Sequence, residues 1–344
     1  MGSKKPRVAI NGFGRIGRAV FRLLSQRDDV DVIAINDVCD NETLAYLLRY
    51  DTVYGRYPGE VSVKNGKMKA GTQEVLMLEE KEPGKLPWKD NGVEIVIEAT
   101  GRFRKQEQLV PHLQAGAQRV ILTVPPKDKI DAMIVLGVND KDIRPEHRII
   151  SNASCTTNCL APVAKVLDEN FGIVKGYMTT VHAYTNDQRL ADVPHSDLRR
   201  SRAAAENIIP TTTGAAKAVG KVLPQLEGKL DGIAMRVPVL DGSTVDLVAE
   251  LSKPASVESI NAAMKEAASK PPLKGILQYS EEPLVSSDII KNPYSAIFDA
   301  RSTRVLGGNF IKVIAWYDNE WGYSCRVVDL IFILASMRVQ DHFI

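Results

Sequence analysis

Cys155 lies in the run Ser151-Asn-Ala-Ser-Cys-Thr-Thr-Asn-Cys159, between small hydroxyl residues and directly before a helix-like segment, Thr156 to Asn170. A thiol at a helix N-terminus meets unpaired backbone N–H groups and the positive end of the dipole, and both favour the thiolate. The natural target of a thiolate is carbonyl carbon, so the chemistry on offer is covalent catalysis. The other reading of the same residue is a small buried hydrophobe. His182 follows the strand-like Met178-Thr-Thr-Val181 and opens a long polar segment. Beside a nucleophilic cysteine it would activate the thiol and act as general base; alone it would be a polar residue at a strand end. His112, His147, His195 and His342 have no such neighbour in sequence and read as surface or packing residues.

Two further clusters suit anions. Arg199-Arg-Ser-Arg202 precedes Pro210-Thr-Thr-Thr-Gly-Ala-Ala216, and arginines, hydroxyls and a glycine amide are the groups that hold phosphate. Arg236 sits among apolar residues in Ile233-Ala-Met-Arg-Val-Pro238 and needs an anionic partner, either a ligand or a structural carboxylate. Trp316-Tyr-Asp-Asn-Glu-Trp-Gly-Tyr323 could bracket a flat polar ring or simply pack.

A dinucleotide fingerprint stands near the start. The apolar Val8-Ala-Ile10 leads into Asn11-Gly-Phe-Gly-Arg-Ile-Gly17 and then a helix-like run to Leu24. Gly12 permits the tight turn, Gly14 lets backbone approach a pyrophosphate, and Gly17 lets helix and strand pack closely. A second apolar run, Val30 to Ile35, ends at Asn36-Asp37, where an acid would bind the adenosine ribose hydroxyls.

The elements that must position these groups alternate in the first half. Strand-like Val93–Ala99, helix-like Glu107–Ala115, and strand-like Arg119–Thr123, Met133–Val138 and Arg148–Ile150 indicate a doubly wound parallel sheet. After Ser151 longer strands appear: Gly176–Val181, Leu230–Val239, Ser243–Leu251 and Ile311–Tyr317. Few helices separate the later ones, which indicates a mostly antiparallel sheet. The expected fold is α/β: an N-terminal Rossmann domain over 1–154, completed by a C-terminal helix at about 321–338, and an α+β catalytic domain over 155–320 with a long loop at about 183–207.

The composition is that of an ordinary soluble globular chain, with 44% hydrophobic and 25% charged residues. A net charge of +2 argues against a dedicated nucleic-acid or membrane surface. Cys39, Cys155, Cys159 and Cys325 show neither a disulfide framework nor metal-ligand spacing, so no metal is expected. No signal-peptide core or membrane-length apolar run is present, and a reducing cytoplasm is the expected location.

Together these residues make the chain resemble the phosphorylating glyceraldehyde-3-phosphate dehydrogenase family over nearly its whole length. The resemblance rests on the two runs at Asn11–Gly17 and Ser151–Cys159, His182-Ala-Tyr-Thr185, Asp197-Leu-Arg-Arg200, Pro210–Lys217, Met235-Arg-Val-Pro238 and Trp316–Tyr323. It implies a cytoplasmic NAD-dependent homotetramer that converts glyceraldehyde 3-phosphate and orthophosphate to 1,3-bisphosphoglycerate. It further implies that Cys155 is the nucleophile and His182 the base, and that Thr185 and Arg236 hold the substrate's own phosphate. Ser154, Thr156, Arg202, Thr213 and Gly214 would hold orthophosphate, and Arg15, Ile16, Asp37, Lys81, Thr123 and Asn319 would touch the cofactor. Lys81 stands where many relatives carry arginine, and the tail Val339–Ile344 is unlike the usual short ending. Erythrose-4-phosphate dehydrogenase is the nearer alternative; an NAD-binding redox sensor or RNA-binding protein is the alternative of another class. Asp37 would repel a 2′-phosphate and Pro194 matches the NAD-using pattern of the family, so kcat/KM measured with both cofactors should strongly favour NAD over NADP.

Overall fold

The computed structural model describes residues 5–337, and the C-terminal tail Val339–Ile344 lies outside them. The described residues divide into two compact units: residues 5–134, 141–153 and 324–337 belong to one, and residues 135–140 and 154–323 to the other.

The first unit contains β1 (Arg7–Asn11), α1 (Arg15–Leu24), β2 (Asp31–Asn36), α2 (Asn41–Arg49), β3 (Val61–Lys64), β4 (Lys67–Ala70), β5 (Gln73–Leu78), β6 (Ile95–Glu98), α3 (Gln106–Gln114), β7 (Arg119–Leu122), β8 (Ala132–Met133) and β9 (Ile149–Ser151). These strands make a nine-stranded sheet in the order β3-β4-β5-β2-β1-β6-β7-β9-β8. From β5 to β8 every neighbouring pair is parallel, while β3, β4 and β5 form an antiparallel meander at one edge. All four residues of β6 and of β7 are buried, as expected for central parallel strands covered on both faces.

The expected strand Met133–Val138 is only two residues long here. Gly137 takes a φ of +81° and donates to Asp140 Oδ1 at 2.6 Å, while Val135 N donates to Asn139 Oδ1 at 2.8 Å. Local turn bonds therefore take the backbone away from the ladder after Met133.

A buried polar network ties the sheet ends under the glycine turn. His112 is fully buried, a packing residue with specific partners. Its Nδ1 accepts from Trp88 Nε1 at 3.1 Å, so Nε2 carries the proton and donates to Glu98 Oε2, also 3.1 Å away. Glu98 Oε2 accepts from Asn11 Nδ2 at 2.6 Å and Oε1 from Thr100 N at 2.9 Å; Asn36 Nδ2 donates to Asn11 Oδ1 at 2.7 Å. Glu98 and Asn11 together thus join the C-terminal ends of β1, β2 and β6, the strand ends where a doubly wound sheet binds its ligand.

The second unit contains α4 (Cys155–Phe171), β10 (Ile173–Ala183), β11 (Ile209–Thr212), α5 (Ala215–Val222), β12 (Leu230–Val237), β13 (Ser243–Leu251), α6 (Val257–Ser269), β14 (Leu277–Ser280), β15 (Ala296–Leu306) and β16 (Phe310–Tyr317). Its seven-stranded sheet runs β11-β12-β10-β13-β16-β15-β14, antiparallel except for β10–β12 and β14–β15. Burial alternates along β13 and β16, and α4, α5 and α6 pack against this sheet. Residues between β10 and β11 form the long loop, closed on itself by an Arg189–Ala203 bridge and an Arg202–Asp192 ion pair. The final helix α7 (Trp321–Ser336) begins in the second unit and ends in the first, where Arg119 donates to the carbonyls of Leu334 and Met337.

The glycine turn separates packing from binding. A Cβ on Gly17 would stand 2.1 Å from the Gly12 carbonyl oxygen, whereas one on Gly14 would meet nothing within 4 Å. Gly17→Ala should therefore lower unfolding free energy by about 1–3 kcal/mol in denaturant titrations, as overpacking does. Gly14→Ala should leave stability nearly unchanged but weaken NAD binding, because it fills the space left for a ligand.

Candidate active site

Cys155 is the first residue of α4, and Ser154 is its N-cap, accepting from Thr157 N at 3.0 Å. Ala153, just before, holds a left-handed φ of +54°, an unusual conformation for a residue with a side chain. This elbow and cap aim the thiol from the helix N-terminus. Pro162 lies inside α4, whose span runs unbroken from Cys155 to Phe171.

His182 and Arg236 come together through strand register. β10 and β12 are parallel, and His182 is paired with Arg236 in their ladder, so both side chains leave the same face. Cys155 Sγ lies 3.5 Å from His182 Nε2. Arg236 reaches His182 Nδ1 at 2.5 Å and the Ala183 carbonyl at 3.1 Å, and that carbonyl lies 2.6 Å from Nδ1. When Nδ1 accepts from Arg236, Nε2 holds the ring proton toward sulfur; when Nδ1 donates to Ala183, Nε2 has a free lone pair for base catalysis. The Tyr317 ring meets the imidazole edge-on at 5.9 Å, and its hydroxyl bonds Thr156 and Thr180 at 2.8 and 2.9 Å.

The electrostatics differ from the simple helix-end picture. Burial pushes the Cys155 thiol above its ordinary value, although Arg236 and Thr156 pull the other way. Cys155 retains a partly open face, but its sulfur is crowded by protein on the remaining sides. Burial, then the charge of Arg236, lowers His182 to about 3, so the imidazole is neutral at physiological pH. In this arrangement the resting pair is thiol and imidazole, not an ion pair, because desolvation outweighs the dipole and the guanidinium. The sign for stability follows: between the ordinary histidine pKa and about 3, the unfolded chain binds a proton that the folded His182 refuses, so stability falls as pH falls through that window.

Arg236 itself answers the question its apolar surroundings raised. Among the described residues it has no carboxylate ion pair, and its Nε is buried without a partner. A guanidinium left so is suited to an anionic ligand. Thr185 N and Oγ1 both donate to Gln188 Oε1, at 2.8 and 3.2 Å. Thr213 and Gly214 lead into α5: Thr213 Oγ1 accepts from Ala215 N at 3.2 Å, and Gly214 has open space where a Cβ would be.

Arg202 is not brought to this cluster. It is exposed and paired with Asp192 at 2.8 Å, because the loop folds back across Val193 and Ser201. Arg200 is the cation near Arg236 instead: it bonds Thr211 Oγ1 at 2.7 Å, pairs with Asp187, and its charge acts on Arg236. Sequence reading passed over Arg200 because three arginines crowd four positions. The pairing of β11 with β12, which sets Ile209 opposite Arg236, is what distinguishes them.

In the first unit a cavity of about 260 Å³ is lined by Gly12, Gly14, Asp37, Lys81 and Thr100, among others. The Gly14 N-cap leaves the first amides of α1 facing outward, the usual seat of a pyrophosphate. Asp37 Oδ2 accepts from Phe13 N at 2.7 Å, fixing the turn to the acid at the end of β2. These features fit a dinucleotide. Arg15 is drawn to Asp51 at 2.5 Å and lies over the Tyr54 ring, and Ile16 is half-buried. Thr123 is buried, its hydroxyl donating to the Glu98 carbonyl at 3.0 Å. Asn319 belongs to the second unit, where Ser243 Oγ donates to its Oδ1 at 2.7 Å.

Arg236 is the first of the groups that favour the Cys155 thiolate and the only charged one that lowers His182. Arg236→Ala should shift the pH profile of Cys155 alkylation by iodoacetamide upward, slowing the reaction at neutral pH, while raising the His182 pKa seen by NMR.

Comparison with known proteins agrees with this geometry. Residues 6–106 match the family model for the glyceraldehyde 3-phosphate dehydrogenase NAD binding domain, and residues 154–319 match that for the C-terminal domain. The glyceraldehyde-3-phosphate dehydrogenase of Geobacillus stearothermophilus is 58% identical over 331 residues, covering 96% of this chain and 98% of its own. That of Streptomyces coelicolor is 57% identical over 94% of this chain and 97% of its own. Glyceraldehyde-3-phosphate dehydrogenase 2 of Bacillus subtilis is 56% identical over 96% and 97%. Neither the erythrose-phosphate reading nor the non-enzymatic one gains support. With a glycine cradle for NAD in one unit and a cysteine–histidine–arginine cluster in the other, the chain belongs to the glyceraldehyde-3-phosphate dehydrogenase family.

Proposed function

We propose that Cys155 carries the acyl group in the NAD-dependent conversion of D-glyceraldehyde 3-phosphate and orthophosphate to 1,3-bisphosphoglycerate. The observation that carries this reading is Cys155 Sγ at 3.5 Å from His182 Nε2, with the unpaired guanidinium of Arg236 against the same imidazole. The sulfur adds to the aldehyde carbon as its proton passes through His182 to the carbonyl oxygen, giving a hydroxyl. His182 Nε2 then takes the proton of the resulting hydroxyl, and the carbon–hydrogen bond breaks to leave a thioester. NAD, when bound, supplies the hydride acceptor. Orthophosphate oxygen attacks the thioester carbon, the carbon–sulfur bond breaks, and Cys155 leaves as thiolate. Positioning and the stabilisation of developing oxyanion charge supply most of the acceleration.

Arg236 and Thr185 hold the substrate's own phosphate. Thr156, Thr213, Gly214 and Arg200 hold orthophosphate, with Ser154 acting first as the cap that aims α4. Arg200 takes the role that the resemblance assigned to Arg202: Arg202 is exposed and turned to Asp192, whereas Arg200 is more buried, bonds Thr211 and lies close enough for its charge to act on Arg236. Gly12, Gly14, Gly17, Asp37 and Lys81 form the dinucleotide seat, Arg15, Ile16 and Thr123 border it, and Asn319 is assigned to the nicotinamide end. A cytoplasmic homotetramer is the assembly we propose. Supporting contact between copies, Leu190, Leu198 and Ile208 in or beside the long loop are 89%, 82% and 69% exposed. Among the described residues no helix is long and apolar enough to cross a membrane.

Steady-state kinetics with each substrate varied separately tests the division of anion ligands. Arg236→Ala should raise the aldehyde KM more than tenfold, the loss of a charge-assisted contact, while Arg200→Ala should act mainly on the phosphate KM. Arg202→Ala should change neither by more than about twofold, as for an exposed pair. A phosphate defect in Arg202→Ala with none in Arg200→Ala would return the role to Arg202.

A further inference from the structure

Two chain segments run side by side where the β13–β16 ladder ends, with Ser243 opposite Tyr317. Asp241–Ser243 leads into β13, and Asp318–Trp321 leaves β16. The first bridge between them is Ser243 Oγ, which accepts from Ala183 N at 3.1 Å and donates to Asn319 Oδ1. With Oδ1 held, Asn319 keeps its amide N–H groups for other partners.

The second bridge is a pair of carboxyl groups. Asp241 and Asp318 are each 1% exposed and hydrogen-bond to each other. Asp318 Oδ1 accepts from Glu320 N and Trp321 N at 2.9 and 2.5 Å, and its Oδ2 accepts from Lys291 N at 2.8 Å. Asp241 Oδ1 accepts from Gly242 N at 2.8 Å. A bond between two carboxyl groups requires a proton between them. Burial raises Asp318 as well, but its three backbone donors favour its charged form, so of the pair Asp241 is the one placed to carry the proton. Burial, then the negative charges of Asp318 and Glu320, push Asp241 up to about 8. The neighbouring segment brings Asp288, whose carboxylate is turned to Val285 N, and Lys291, which offers its backbone N–H to Asp318. Gly242 packs closely on the segment around Ser286: it has a φ of +86°, and a Cβ there would stand 2.2 Å from the Ser286 carbonyl oxygen.

We propose that Asp241 and Asp318, joined by one shared proton, are positioning residues for Asn319, and that loss of this proton loosens Asn319 and weakens NAD binding. The inference rests on the assignment of Asn319 to the cofactor. With both carboxyls ionised, two buried negative charges face each other at hydrogen-bond range. Separating the segments relieves them, and it pulls on Asn319 from the adjacent Asp318 and on Ser243 from Asp241, two residues away. The sign is fixed by the raised pKa: the device is intact below about 8 and is lost as pH rises through it.

The test is NAD binding by the full chain, followed calorimetrically from about pH 7 to 9.5, for the wild type, Asp241→Asn, Asp318→Asn and Asn319→Ala. The wild-type Kd should rise roughly tenfold across this range, the equivalent of one pKa unit of lost interaction. Asp241→Asn keeps a hydrogen-bond donor and cannot ionise, so its Kd should stay flat; Asp318→Asn, lacking the second charge, should also flatten the profile. A flat wild-type profile, or an Asp241→Asn profile that tracks a rising wild type, would overturn the proposal. Asn319→Ala separates the two claims. If it leaves Kd unchanged at every pH, the cofactor assignment fails; if it weakens NAD while Asp241→Asn tracks the wild type, only the proton switch fails.

Discussion

The site is organised by a half-buried guanidinium that no carboxylate among the described residues pairs with. Arg236 is carried into the interior by β12, among apolar neighbours, and parallel register places it against His182 on β10. Isolated burial of a cation is costly, and among the described residues no carboxylate repays it. What the arrangement gains is an electrostatic field at the point of chemistry: the same charge favours the thiolate of Cys155 and disfavours the imidazolium of His182. A base that is neutral at rest can accept a proton, and a cation left unpaired can receive a phosphate. Under the proposed assignment, a phosphate bound there would satisfy Arg236 and leave Nδ1 to bond the Ala183 carbonyl, the tautomer in which Nε2 is free.

Rigid supports surround this cation. Tyr317 is fastened between Thr156 and Thr180 and walls one side of the imidazole. Ser154 caps α4, and the left-handed Ala153 sets the approach of the thiol. The first unit solves its own problem in a similar way. A buried carboxylate, Glu98, gathers donors from β1, α3 and the Thr100 turn, so the strand ends that carry the glycine turn cannot shift independently. In both units a hydrogen-bonded polar network holds backbone that a ligand must approach closely.

Much of this was legible in the residues, for physical reasons. The glycines at 12 and 17 are legible because only a missing Cβ solves the close approaches now seen at Thr100 and Gly12, and Gly14 because a ligand must come close to open backbone there. The long strands of the second unit are legible through alternation, and β13 matches its expected limits at Ser243 and Leu251. Four things were not. The meander β3–β5 carries short strands with lysines facing out, a weak periodic signal. Met133–Val138 is apolar enough for a strand, but Gly137, Asn139 and Asp140 close turns that win locally. Thiol and imidazole protonation depends on burial, which no local pattern reveals, and the choice between Arg200 and Arg202 depends on strand pairing distant in sequence.

The central claim is that the aldehyde carbon becomes covalently bound to Cys155 and that orthophosphate removes it. Mass spectrometry of the intact enzyme, quenched in acid after mixing with NAD and glyceraldehyde 3-phosphate in phosphate-free buffer, addresses it directly. The account predicts one 3-phosphoglyceroyl adduct per active site, located on the Cys155 peptide, and its discharge as 1,3-bisphosphoglycerate when orthophosphate is added before the quench. An unmodified Cys155 under conditions that produce NADH, or an adduct indifferent to orthophosphate, would contradict it.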